Sequence, residues 1–318
     1  MDNETIVKAV PEIGYLHRGT EKLSEYSEYY KILPYFDRFD YTGLILCEHS
    51  YILNVEKLLV NNNPLYTQLA RTMLNELMRV SSHFLALTTS AMDIGAVTPF
   101  LWAFEEREEI ATLFENITGA RLHTALYTLG GLNFSVNTQD LIEIYSFILR
   151  VRNKLNEVYE LLNFNSIWRL RMDHVGIVNK FTANSYGLSG PIARSCGLIN
   201  DIRLNYPYEL FNYTSIPVVY GMRGDNYTRF HVRLEEVFSS VQYVEYILLQ
   251  LLHMNKPKSL SFKESFKYNP TNLFLDDDTM EKTILQFKSF SEGYSIKANK
   301  SYTKVESPKG EFGVTLVS

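Results

Sequence analysis

Cysteine is almost missing from this chain: Cys47 and Cys196 are the only two in 318 residues. That excludes a disulfide scaffold and points to a reducing compartment. It also excludes an iron–sulfur cluster held by this chain alone, since such clusters typically need about four thiolates. Long apolar runs are missing too. None reaches the roughly 18 residues of a membrane-spanning helix, and the longest, around 246–252, ends at His253. The first residues, MDNETIVKAV, lack the charged-then-apolar order of a leader, so a soluble or peripheral chain is expected. Basic excess is absent. The net charge is -5 with 21% charged residues, which argues against nucleic acid as a partner. No phosphate-binding loop, dinucleotide fingerprint, H-E-x-x-H, C-x-x-C or G-x-S-x-G occurs. Cys47 and His49 lie two apart on an expected helix and so point to different faces. No metal site is expected.

What is present is enough apolar residue to build a core, at 46%. Residues 4–10, with Thr5, Ile6, Val7 and Val10, read as a strand. Residues 21–32 read as a helix stopped by Pro34. A helix is expected over 41–61, closing on Asn61–Pro64. Another covers 66–88, where Leu69, Ala70, Met73, Leu74, Leu77, Met78, Phe84 and Leu85 recur at three- and four-residue steps. Pro99 suits a helix start, with Glu105 and Glu106 near its positive end. Residues 139–163 carry Leu141, Ile144, Tyr145, Ile148, Val151, Leu155, Val158 and Leu162 on one side. Further helices are expected at 230–254 and 278–292, with a surface connection at 255–277. Strands are expected at 214–220, 302–305 and 312–317. The fold class is α+β, mainly α, in one domain over 1–318. It divides into a strand and loop region (1–40), a helical bundle (41–300) and terminal strands (301–318).

Several long segments carry more specific information. They are PEIGYLHRGTEKL (11–23), LPYFDRFDY (33–41), LTTSAMDIGAVTPFLWAFEERE (87–108) and TGARLH (118–123). GLSGPIARSCG (187–197), DIRLNYPY (201–208), GDNYTRFHVRLEE (224–236) and SPKGEFG (307–313) follow. In this order and at these separations they resemble the 49 kDa subunit family of respiratory complex I, a relative of the nickel–iron hydrogenase large subunit. The resemblance runs from Glu4 to Ser318. LHRGTEKL and TPFLWAFEERE resemble mitochondrial and proteobacterial forms, and the abundance of Tyr and Phe hints at an AT-rich, organellar genome.

The resemblance implies a hydrogenase-like helical bundle with small β elements near both ends. It implies no metal: the relatives' first cysteine pair falls where this chain has Arg38, Phe39, Asp40 and Tyr41. Tyr41 matches the family tyrosine that donates to the quinone headgroup. A phenol is protonated at neutral pH and stabilises charge developing on a quinone carbonyl. Asp93 matches a carboxylate of the same cavity, thought to relay protons with a histidine. Asp93 also suits a bland reading, as a helix end before Gly95. Thr89 and Phe100 match cavity-lining positions. Arg18 and His123 match residues near the terminal iron–sulfur cluster of a neighbouring subunit, where a cation raises the cluster potential and a histidine couples proton to electron arrival. The implied cofactors are ubiquinone at the interface and a 4Fe–4S cluster in that neighbour. The implied partners are the other peripheral-arm subunits, with the membrane arm nearby. The implied place is the matrix side of the mitochondrial inner membrane.

Three departures from the family pattern stand out. Glu12 replaces a histidine. Thr128 and Leu129 stand before Gly130 and Gly131 where the family has an arginine. The family segments with the second quinone-site histidine and with a basic, proline-containing end are expected either on separate chains, which would pair strands near 5–10 and 312–317, or in a longer chain of which this sequence is a piece. The alternative function is a structural scaffold of the peripheral arm that has lost quinone chemistry. An active hydrogenase is excluded by the cysteine count.

Overall fold

The computed structural model describes residues 2–3, 5–59, 63–254, 280–291, 293 and 296–318. Its centre is α4 (Leu65–Ile94), a 30-residue helix. From Leu69 to Phe84 almost every side chain of α4 is buried, apolar and charged alike. A helix buried on all faces must be surrounded, and it is. α3 (Leu44–Leu59), α5 (Val97–Thr118), α6 (Thr138–Asn163) and α11 (Asn226–His253) form the bundle with it. Leu69, Met73, Leu77, Ile110, Phe114, Ile144, Val151, Val244 and Ile247 fill the main core. A smaller core of Leu87, Ala91, Val158, Leu162, Trp168, Phe230 and Leu234 closes one end.

Local chemistry sets the helix ends. Asn137 and Asp140 form a capping box at the start of α6. The Asp225 carboxylate accepts the Thr228 backbone N–H at 2.8 Å and starts α11. Gly95 (φ 105°) and Gly119 (φ 80°) end α4 and α5. The α6 positions expected to share one face are buried except Tyr145, which is exposed.

Among the described residues the sheet content is two antiparallel hairpins. One is β1 (Tyr127–Thr128) with β2 (Gly131–Leu132). The other is β3 (Lys300–Ser307) with β4 (Gly310–Val317), paired from Lys300 with Val317 to Ser307 with Gly310. The β3–β4 hairpin packs on α3, whose Asn54 donates to the Val314 carbonyl of β4 at 2.7 Å. The mainly α, α+β class therefore stands.

Several expectations change. Residues 5–10 form no strand: they are exposed coil apart from one bridge between Asp2 and Thr5. β-branched residues give propensity, but a strand needs a partner. The segment 214–220 is also coil. β4 finds its partner within the chain. The region 1–40 is not strand and loop but coil followed by α1 (Thr20–Ser24) and α2 (Tyr29–Phe36). Pro34 lies inside α2, which ends two residues later. Glu105 and Glu106 lie beyond the first turn of α5, which begins at Val97. The connection expected at 255–277 lies outside the described residues. Helices α7 (Ser166–Met172), α8 (Lys180–Ser185), α9 (Gly190–Ser195) and α10 (Ile202–Asn205) have no period long enough to read. A last helix, α12, covers Met280–Ser291.

Candidate functional site

Tyr41 sits on the turn between α2 and α3. Asp40 builds that turn: its Oδ1 accepts the Thr42 N–H at 3.1 Å and the Thr42 hydroxyl at 2.8 Å. The same oxygen takes the Lys309 ammonium at 2.9 Å. Burial alone would raise the Asp40 carboxyl, but Lys309 and Thr42 outweigh it and hold it below the usual range. Ser82 of α4 donates to the Thr42 hydroxyl at 3.3 Å and ties the turn to the central helix. A side chain on residue 43 would meet Asp40 at 2.9 Å, so Gly43 permits the tight return into α3.

The phenol projects from this fixed turn. Tyr41 is 60% exposed, its hydroxyl bonds to no described residue, and Lys309 Nζ stands 5.3 Å from the ring centre. Lys309 comes from the tip of the β3–β4 hairpin, which is itself clamped. Arg79 donates to the Glu306 carbonyl. Arg194 and the Ile202 N–H bind the Glu306 carboxylate at 2.9 and 3.2 Å. Gly190 touches Gly310 so closely that an added Cβ would lie 2.5 Å from its Cα.

His123 reaches the same end of the molecule. Its Nδ1 is 3.3 Å from Asp37, four residues before Tyr41. Asp37 is buried, and burial raises its carboxyl against the pull of His123. Arg18 is not brought in: it lies in exposed coil before α1, with no ion pair among the described residues.

Thr89 and Asp93 lie further along α4. Ser82, Thr89 and Asp93 are seven and eleven residues apart, which places them on one helix face about 10 and 16 Å along the axis. Thr89 is half-buried and its hydroxyl donates to the Leu85 carbonyl at 2.8 Å. Asp93 is exposed in the last turn, beside Ser90, at a cleft faced by Arg229 and Arg233. Exposure removes the desolvation cost expected for a carboxylate among apolar neighbours. Phe100, in the first turns of α5, is half-buried against Phe104 at 5.3 Å. So Tyr41, His123 and their turn form one group, and Thr89, Asp93 and Phe100 a second, linked by α4.

Sequence reasoning missed the charge beneath the site. Arg79, Arg194 and Arg203 are buried against Glu76, Asp201, Glu236 and Glu306. Arg194 holds Glu236 at 2.7 Å, Arg203 holds Asp201 at 2.7 Å and Glu76 at 3.3 Å, and His83 meets Glu236 at 2.8 Å. Burial would raise Glu236, but Arg194 and His83 bring its carboxyl down to about 2. Three arginines face four carboxylates, and burial raises Glu306 against the pull of Arg194. A second group surrounds Arg71, which binds Glu56 at 2.8 Å and Glu209 at 2.9 Å. Arg71 also donates to the Thr128 and Gly131 carbonyls at 2.9 Å. It thereby holds the hairpin at Thr128 and Leu129. Of these residues only Arg194, Asp201, Arg203 and Glu236 stand in the distinctive segments, and nothing local announced the contacts among them.

Both cysteines are buried and free. Burial pushes the Cys47 thiol up, which keeps it protonated and inert. His49 turns away, to Asn75 at 2.7 Å and Glu209 at 3.4 Å. Among the described residues no helix is long and apolar enough to cross a membrane, and no group of three or more His, Cys, Asp or Glu side chains is arranged to hold a metal ion.

Residues 93–318 match the family described as respiratory-chain NADH dehydrogenase, 49 Kd subunit. The NADH-ubiquinone oxidoreductase 49 kDa subunit of Dictyostelium discoideum is 40% identical over 322 residues, covering 99% of this chain and 78% of the relative. That of Acanthamoeba castellanii is 42% identical over 318 residues, covering 100% and 78%. That of Reclinomonas americana is 39% identical over 318 residues, covering 100% and 79%. With a match over most of its length and relatives at this level of identity, the chain belongs to the 49 kDa subunit family of the respiratory-chain NADH dehydrogenase.

Proposed function

We propose that this chain forms the wall of a ubiquinone-reduction cavity, shared with a neighbouring subunit that carries the terminal 4Fe–4S cluster. The reading is supported above all by Tyr41: a phenol with a free hydroxyl, on a turn fixed by three hydrogen bonds, beside a cation. A hydroxyl in that position donates to a quinone carbonyl and needs no reorganisation when charge develops there. Lys309 adds positive potential at the same edge.

Reduction of a quinone to its hydroquinone takes two electrons and two protons. The cluster of the neighbouring subunit supplies electrons. This chain's residues serve the proton side. His123 lies against buried Asp37 near Tyr41, and exposed Asp93 stands in the last turn of α4. Arg18, in exposed coil, is available to the neighbour's cluster. Thr89 and Phe100 line the cavity beside Asp93. Membership of the complex also implies coupling to proton translocation in a membrane arm, with this chain peripheral on the matrix side of the mitochondrial inner membrane.

Tyr41→Phe in the assembled complex tests this reading. Quinone reductase activity is expected to fall at least about tenfold, with assembly intact and NADH oxidation by a water-soluble acceptor unchanged. Full quinone reductase activity would overturn the reading.

A further inference from the structure

The cleft between the end of α4 and the start of α11 contains charge that this chain does not neutralise. Arg229 and Arg233, one turn apart on α11, face Ser90 and Asp93 across a space of ≈ 230 Å³. Arg229 is held by neutral acceptors: the Gly224 carbonyl at 2.7 Å, the Gly176 carbonyl at 2.9 Å and the Asn226 side chain. These fix the guanidinium; the nearby Asp225 carboxylate favours its charge, but burial outweighs that pull. Arg233 is half-buried and makes no hydrogen bond or ion pair among the described residues. Glu236, the one favourable charge on it among the described residues, is committed to Arg194 and His83. Asp93 sits at the exposed rim and enters the electrostatic balance of neither arginine. The Arg233 donors are left to the solvent of the cleft, and their fork geometry matches a carboxylate.

The size and floor of the cleft narrow the ligand. Pockets for drug-sized molecules run from about 300 Å³ upward, so this space suits one side chain. Leu87, Met172 and Phe230 form an apolar floor that receives methylene groups while the rim receives charge. We propose that this cleft is a docking socket for an Asp or Glu side chain of a neighbouring subunit, with Arg233 as its counter-ion. The inference rests on membership of the complex and not on the quinone reading.

The test uses the assembled complex carrying Arg233→Lys, which replaces a guanidinium by an amine that a water-soluble carbodiimide couples to a touching carboxylate. Peptide mapping is expected to find an isopeptide from position 233 to an Asp or Glu of another subunit, absent from the wild-type complex. Coupling to Asp93 or Glu236 of this chain overturns the proposal, because the cleft then closes on its own acids. An uncoupled amine at 233, while other lysines of the complex couple, overturns it as well; a lipid phosphate in the cleft would give that result. In the unmodified complex, Arg233 is expected to react with phenylglyoxal at least tenfold more slowly than a free arginine peptide, and reaction at the peptide rate rejects the socket. Tyr41→Phe leaves these readouts unchanged, so failure of the quinone reading is separately visible.

Discussion

Glu106 shows how one side chain can work against the fold. It lies on the inner face of α5, 5% exposed, with one carboxylate oxygen unpartnered. Burial first, then the charges of Glu109 and Glu105, push its carboxyl up to about 7. In the unfolded chain it titrates near 4.5. Between those values the folded state holds a proton that the unfolded state has lost, so stability falls as pH rises. Glu106→Gln is therefore expected to stabilise the chain by about 1–2 kcal/mol at pH 8, after allowance for solvent screening, and to change little at pH 4. Denaturant midpoints at the two pH values check this, and equal shifts at both would refute it. The residues of the site were unequally legible. Tyr41, Asp93 and His123 stand in distinctive motifs, and that made them candidates. Lys309 stands in one too, but its partner Asp40 is 269 residues away, and no local pattern reports such a contact. The cleft arginines stand in GDNYTRFHVRLEE, but no local pattern reports that they face Ser90 and Asp93 of α4.

At the scale of elements, the β3–β4 hairpin matters more than its size implies. Its tip delivers Lys309 to the Tyr41 turn and seats against the start of α9. Gly190 makes that seating possible: its φ is +65°, and an added Cβ would meet the Gly310 Cα at 2.5 Å and its nitrogen at 2.8 Å. Backbone cannot swing aside as a flexible side chain can. Gly190→Ala is expected to destabilise by roughly 2 kcal/mol or more, from strain and displaced packing. It is also expected to shift the hairpin tip, so the Asp40–Lys309 pair loosens and quinone reductase activity falls with it. A denaturation midpoint within error of wild type would show that the contact is not tight. The long helices α4, α6 and α11 and both strands of this hairpin were legible because their periods run for many residues. The strands expected at 4–10 and 214–220 failed for a shared reason. Apolar and β-branched residues make a segment suited to a strand, and only a neighbouring edge makes it one. Pro34 misled in the opposite direction. Proline disfavours the helical region for the residue before it, yet α2 is only eight residues long and continues two residues past it.

Across the whole molecule, the two buried ion networks join segments that the sequence keeps far apart. Glu236 lies 42 residues from Arg194 and 153 from His83, and Glu209 lies 138 from Arg71. Apolar burial builds the bundle, and these charges set which helix faces meet. A network of this kind has a pH signature. Burial raises Glu236 and Glu209, but Arg194 with His83, and His49 with Arg71, bring each down to about 2. Their unfolded values lie near 4.5. A depressed carboxyl contributes stability that is fully present above the unfolded pKa and is lost as pH falls through the folded one. The protein is therefore expected to lose several kcal/mol between about pH 4.5 and 2, and salt will alter that loss little because the pairs are out of reach of counter-ions. Glu236→Gln separates this network from general acid sensitivity. At pH 7 it leaves Arg194 and His83 facing a neutral amide in a buried space, at an expected cost of about 3–5 kcal/mol. Near pH 2 the wild-type carboxyl approaches neutrality, so the difference between the two proteins is expected to shrink. Urea midpoints from pH 7 down to the acid limit give the comparison, and curves that stay parallel throughout would show that folding does not lower the Glu236 carboxyl below its unfolded value.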